Sequence, residues 1–413
     1  MVSMQSSARD GGARKSPIEY RSRTKKKLRS RRGKHLLHYD SAKAKGLCRR
    51  LIAVLMVFLA LPVAANAQYT NEDLAMALAY GSCNKLFLEG TAAQLNALGR
   101  APSADRLAAM LDKVPAGELM GSFRRANAGL IERARDVGLL DCEVILALDM
   151  HRIARYRRPQ GKYKGKRKAR DLPMSVAGKS VAGTNLAHQF ATIEVMGSEP
   201  RLTLEVVPWF HGSKYDRTVS ELLTSAKRHV KACLLLMDRE FYNEEAVGAA
   251  MDAGVHFLVP AKKVAPVREA MARCRGLTHL VEPYDIGERR VNLVVVDRES
   301  IGRGKGRWAF ITDLPGERWR ELSELYSRRW GIETGYREKK AFRGKTCSLS
   351  YNVRLALFLI SVLAAGVWTL EREDAPVSWL GTMPAHLVRF MVTLCALVWF
   401  EPELFEWALA AWA

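Results

Sequence analysis

The chain has 413 residues, 48% of them apolar, with 65 Lys and Arg against 43 Asp and Glu and a formal net charge of +22. That length and apolar content support a sizeable core and exclude a wholly disordered chain, and ordinary Gly and Pro contents exclude collagen-like and low-complexity classes. Residues 1–50 hold 16 basic and 3 acidic side chains and residues 151–170 hold 10 basic and no acidic ones, so two short basic segments on a near-neutral body point to a polyanion, nucleic acid ahead of an anionic membrane surface.

Residues 1–47 read as a disordered basic arm, poor in apolar residues. Residues 48–67 set Cys48-Arg49-Arg50 before a short apolar run that ends in Ala65-Asn66-Ala67. That is a signal-like pattern, but the basic stretch before it is far longer than a signal's n-region, so a packing segment competes with it. Residues 68–140 predict a small helical domain, a candidate DNA-binding unit. One helix starts at Asn71 and covers LAMALAYGSCNKLF, a second is capped by Ser103, and a third runs to Gly138.

The pattern changes at residue 141. CEVILALD (142–149), FATIEVM (190–196), RLTLEVVPW (201–209), ACLLLMD (232–238) and VHFLVPAKK (255–263) predict strands, with helices over 216–230 and 243–254. Three more strands, HLVEPY, RRVNLVVVD and RWAFITD, fall within about 276–315, and a long helix follows from Glu317 to about Arg343. This order predicts a mixed α/β sheet over 141–350. Residues 351–413 carry two apolar segments, 355–370 and 385–400. Both are shorter than the roughly 20 residues of a membrane span, so buried helices are expected. The seven Cys include no pair within four residues of each other, which excludes a zinc knuckle or a Cys-x-x-Cys redox motif and fits reduced thiols in a cytoplasm.

Asp149 and Asp238 each end a predicted strand, the position where open α/β sheets bind ligands. Two carboxylates on neighbouring strands repel unless a cation lies between them, and Mg²⁺ favours such oxygen donors. The plainer alternative is a turn or cap role for each. In LYSRRWGIETGYREKK, Tyr326, Arg329, Glu333 and Lys340 fall within an arc of about 60° on one helix face. The alternative there is a solvated face of i, i+4 ion pairs. His151 reads as a solvated loop histidine and Trp308 as a core residue or a stacking platform. Neither a P-loop nor a dinucleotide fingerprint is present, so no nucleotide cofactor is expected.

The spacing Tyr326-x2-Arg329-x3-Glu333-x6-Lys340, with Asp238-Arg239-Glu240-Phe241-Tyr242 and Leu148-Asp149-Met150-His151-Arg152-Ile153, resembles the bacterial insertion-sequence DDE transposases with the Tyr-Arg-Glu-Lys (YREK) signature, the insertion-sequence-four type. The resemblance covers roughly residues 70–372. Many relatives carry Gly where Glu240 stands, and Ala154-Arg155-Tyr156-Arg157 departs from the more usual Pro-Tyr-Tyr-Gly.

The resemblance implies an RNase H-like mixed-sheet core with a β insertion, Asp149 on its first strand, Asp238 after its fourth and Glu333 on a late helix. It implies that Asp149, Asp238 and Glu333 are catalytic and hold two Mg²⁺ ions, with Mn²⁺ able to substitute. Tyr326, Arg329 and Lys340 would contact DNA. The implied partners are transposon-end and target DNA, bound by a homodimer on paired ends in the cytoplasm at the nucleoid, with residues 48–67 as the conflicting signal. Arg124 and Arg125 are candidates for base contacts, and the basic segments for sequence-blind phosphate binding. A metal-dependent DNA nuclease of the same fold and a catalytically decayed DNA-binding remnant are the alternatives.

Overall fold

A computed structural model describes residues 41–59, 68–99, 101–140, 143–156, 174–181, 184–196, 202–302, 304–315, 318–328 and 339–374, with positions 392, 393, 396 and 399. Among the described residues five helices come first: α1 Ser41–Phe58, α2 Asn71–Cys83, α3 Leu88–Leu98, α4 Ala104–Lys113 and α5 Ala116–Asp136. Their ends follow local chemistry. Thr70 and Asp73 form a reciprocal capping box at α2, Ser103 accepts from the Arg106 amide at α4, and Gly138 leaves α5 at φ 73°. The predicted helix through residue 87 stops at Cys83 instead. Lys85 takes φ 56° and the chain turns before α3 starts.

The strands are β1 Val144–Ala154, β2 Val176–Val181, β3 Thr184–Met196, β4 Thr203–Trp209, β5 Ala232–Met237, β6 His256–Pro260, β7 His279–Ile286, β8 Arg289–Asp297 and β9 Arg307–Thr312. They form one sheet in the order β2-β3-β1-β5-β6-β9-β8-β7, with β4 also paired to β3. β1 is parallel to β5 and β5 to β6, whereas β1–β3, β3–β4 and β6–β9 are antiparallel. The three strands predicted between 276 and 315 therefore extend the main sheet beyond β6. Between the strands lie α6 Tyr215–Lys227, α7 Glu244–Asp252 and α8 Ala265–Arg273, followed by α9 Trp319–Arg328 and α10 Tyr351–Asp374.

Several elements differ from expectation. β1 continues five residues past Asp149 and β3 begins at Thr184, because each supplies the other's partner from Ile145↔Met196 to Ala154↔Ala187. Long-range pairing carries the strand through polar residues that local pattern reads as loop. β2 was not expected, so Asp238 follows the fifth strand and not the fourth. α8 was also unexpected; only Val267 and Ala270 on it are buried, too weak a stripe to register as a helix.

α10 is the axis of packing. It is long and apolar enough to cross a membrane, yet that window is buried inside the protein. Phe358 stacks on His151 and Phe190 at 4.9 and 4.4 Å. On its other sides lie α1, α2, α4 and α5, and the apolar half of α1, with Leu51, Leu55 and Phe58, belongs to the same core. Arg50 of α1 pairs with the buried Glu371 of α10. Of the second apolar segment, Val392 and Ala396 are buried and the rest lies mostly outside the described residues.

Two buried glutamates mark the two faces of the sheet. Glu205 on β4 faces away from α10, where Arg124 of α5 and Ser225 of α6 donate to it at 2.9 and 2.8 Å. Glu194 on β3 faces the α10 side.

His188 on β3 is buried against the Tyr351 ring at 5.2 Å. Its Nδ1–H donates to the Met174 carbonyl at 2.8 Å, and its Nε2 has no partner among the described residues. Burial pushes its pKa down to about 4, against the Met174 bond, which raises it. The unfolded chain takes up the proton near pH 6.5 and the folded chain only near 4, so stability falls as pH drops through that window. Urea unfolding of the wild type should lose about 2 kcal/mol more between pH 7 and pH 5 than His188→Leu does. Equal losses would place the proton elsewhere.

Candidate active site

β1 and β5 run parallel with Leu148 opposite Met237. One residue further along each chain stand Asp149 and Asp238, so the register sets the two aspartates side by side on strands about 4.8 Å apart. Asp238 keeps an extended backbone (φ −78°, ψ 163°), so it continues the alternation of β5 by one residue and its side chain leaves on the same side as that of Asp149. β5 ends there. Asp238 caps the 3₁₀ turn Arg239–Phe241, its Oδ1 accepting from the Arg239 amide at 2.6 Å, and Phe241 is buried beneath it. Asp149 Oδ1 likewise accepts from the Met150 amide at 2.6 Å. Asp149 is not the last residue of its strand, as expected, but lies within β1 at the point where the parallel neighbour stops. Both side chains are half-buried.

Glu333 and Arg329 lie outside the described residues. Among the described residues no three His, Cys, Asp or Glu side chains come together as a metal site. The aspartate pair is an oxygen-only donor set, which fits a hard divalent cation and leaves room for further oxygen ligands.

A second pair of charges lies beside Asp149. Thr192 is the β3 partner of Asp149, and Glu194 is the partner of Ala147. All four therefore share one face. Lys339 pairs with Glu194, and both are almost fully buried. Thr192 Oγ1 also donates to Glu194 Oε1 at 3.3 Å, whereas Oε2 has no hydrogen-bond partner among the described residues. Burial pulls the Lys339 ammonium below its ordinary value and the nearby Asp149 carboxylate acts the other way.

Four residues on, Arg343 donates to His151 Nε2 at 3.1 Å, and the intervening Phe342 is buried. His151 is thus no solvated loop residue. It lies inside β1, stacked on Phe358, and burial with the charges of Arg343, Lys339 and Lys340 holds it neutral well below its usual range.

The remaining expected DNA contacts divide. Lys340 is exposed. Tyr326 on α9 is buried, its ring 4.8 Å from Phe310 of β9. Trp308 is half-buried with the Arg298 guanidinium 5.0 Å above its ring. Arg124, a candidate base reader, instead bridges Glu205 and Glu221, each at 2.9 Å; Arg125 is exposed. The basic loop lies mostly outside the described residues, from 157 to 173. The insertion is fastened to the segment after Asp238: the Tyr242 and Tyr284 hydroxyls are 2.5 Å apart, Arg289 pairs with Asp252 at 2.9 Å, and the Glu288 amide donates to Glu244 at 2.8 Å.

Glu194, Lys339 and Arg343 did not stand out in the sequence. The available signal was an acid inside the apolar run FATIEVM, which a buried strand tolerates only with a cation supplied from elsewhere.

The family model for the Transposase DDE domain matches residues 141–368, more than half of the chain. No curated protein matches. Among solved structures, the cryo-EM structure of the piggyBac transposase synaptic complex with hairpin DNA is similar, with a TM-score of 0.53 and 10% identity over 89% of this chain and 82% of that one. At that identity the likeness is one of fold, and it bears out the RNase H-like mixed α/β core expected from the sequence.

Arg124→Ala should leave the buried Glu205 carboxylate with Ser225 and without its cation. The expected cost is about 2 kcal/mol of stability in urea unfolding, with DNA affinity unchanged. Loss of DNA affinity without loss of stability would return Arg124 to the DNA interface.

Proposed function

Because the chain belongs to the Transposase DDE domain family, enzymes that cut DNA and transfer its strands, we propose that Asp149, Asp238 and Glu333 are its catalytic carboxylates. The observation that carries this reading is the β1–β5 register, which pairs Leu148 with Met237 and so brings the next residue of each chain, Asp149 and Asp238, from distant parts of the sequence to neighbouring positions. Nothing about a fold requires two like charges there, and the arrangement makes sense as a cation site.

The YREK spacing supports placement in the insertion-sequence-four group, with Glu333 as the third carboxylate. Two Mg²⁺ ions, or Mn²⁺ in their place, would supply Lewis acidity for the attacking and leaving oxygens of a phosphoryl transfer. This chain's residues do the rest. The three carboxylates orient the cations, and Arg329 and Lys340 hold phosphate oxygens of the DNA. Tyr326 packs on Phe310 and reaches DNA only through its hydroxyl. His151 takes no proton in this reading, since it is buried and its Nε2 accepts from Arg343.

The reading extends to the whole chain. Transposon ends and target DNA are the substrates, and a homodimer holds paired ends at the nucleoid in the cytoplasm. Helices within 68–140 recognise the end sequence, while the arm 1–47 and the loop 157–173 add sequence-blind affinity. The apolar part of 48–67 serves packing, in keeping with the buried Leu51, Leu55 and Phe58.

DNA spanning the flanks of the gene, incubated with Mg²⁺ and the full chain, should break at the element boundaries. Asp149→Asn, Asp238→Asn and Glu333→Gln should each lower that rate by about a thousandfold or more while retaining DNA binding. Equal cleavage by wild type and Glu333→Gln would dismiss Glu333 as the third carboxylate. Breaks at random positions in the DNA would favour a nuclease.

A further inference from the structure

We propose that Glu194 and Lys339 form a buried positioning pair that sets the divalent-cation affinity of the Asp149–Asp238 site and fastens the segment that begins at Lys339 to β3. The inference rests on the metal reading of the aspartate pair given above. Its premises are geometric. Glu194 lies one strand away from Asp149 on the same face of the sheet, joined through Thr192. Lys339 pairs with Glu194, and both are buried where water screens little.

The charges facing this spot from each neighbouring element are Asp149 on β1, Glu194 on β3, Asp238 beyond β5, and Lys339, Lys340 and Arg343 on the segment after Glu333. Among the described residues the spot without Lys339 would hold the carboxylates of Asp149, Asp238 and Glu194. With Lys339, Glu194 is neutralised and no longer adds to the pull of the aspartates on an incoming cation. Lys339 follows Glu333 by six residues, and Arg343 repeats the attachment one helical turn further on by its bond to His151 of β1. The described segment from Lys339 to Arg343 is therefore fixed at two points, to β3 and to β1.

A charge role and a mere packing role differ in sign. Glu194→Gln removes a negative charge that offsets Lys339 beside Asp149, so Mn²⁺ titrated into the full chain should bind about tenfold more weakly. Lys339→Met leaves an extra carboxylate, so Mn²⁺ should bind about tenfold more tightly. The double variant Glu194→Gln/Lys339→Met restores the net charge and should return to within about threefold of wild type in Mn²⁺ affinity. It should still cleave DNA about tenfold more slowly, because the attachment is gone.

Calorimetry reads the affinities, and the Mn²⁺-induced rise in melting temperature checks them independently of activity. Shifts of the two single variants in the same direction, or no shift in either, would overturn the proposal. Should Lys339→Met fail to fold, the comparison of Glu194→Gln with the double variant still isolates the ammonium's charge, and equal affinities there would overturn it. Asp149→Asn is the control for the underlying reading. If wild type and Asp149→Asn bind Mn²⁺ alike, the metal site itself is misplaced; if only wild type binds and the charge variants are flat, the pair alone is wrong.

Discussion

The rest of the structure depends on the hydrogen-bond register of one strand. β1 is antiparallel to β3 on one side and parallel to β5 on the other. A slip of one residue would turn Asp149 and His151 to the opposite face, away from Lys339, Arg343 and Phe358. The register is held by the apolar residues of the other parity, Leu146 and Leu148, both fully buried. Hydrophobic packing thus sets which face the acids occupy, and chemistry follows from that choice.

The protein places charge inside its layers on both sides of the sheet. Glu194 receives Lys339 from 145 residues away and Glu205 receives Arg124 from 81 residues away. A buried pair of this kind adds little net stability, because desolvation offsets attraction, but removing one partner is costly. Its effect is to specify which distant segment belongs at which strand. Glu371 with Arg50 acts similarly between α10 and α1. Apolar contact along α10 gathers the helices, and the ion pairs fix their positions.

The insertion does not stand apart from the core. β9 pairs with β6, so the same sheet continues outward. The Tyr242–Tyr284 contact and the Arg289–Asp252 pair tie it to the turn and helix that follow Asp238. The insertion is thus joined to the elements after Asp238 both by strand pairing and by side-chain contacts.

Much of this was legible in the sequence. Continuous apolar, β-branched runs located the central strands, Ser103 and Gly138 marked helix ends, and Asp149 and Asp238 stood out as acids closing apolar runs. These signals are local: propensity, capping and burial pattern act over a few residues. The extension of β1 and β3 through polar residues was not legible, because its cause is pairing between the two strands. His151 was misread for the same reason, since only Phe358, some two hundred residues on, makes its site a core. Glu194 and Lys339 each look ordinary alone, and only the folded chain makes them partners. Sequence by itself determined the order of elements and the residue types available for chemistry. Tertiary structure decided which of them meet, because burial and electrostatic pairing depend on distance in space and not along the chain.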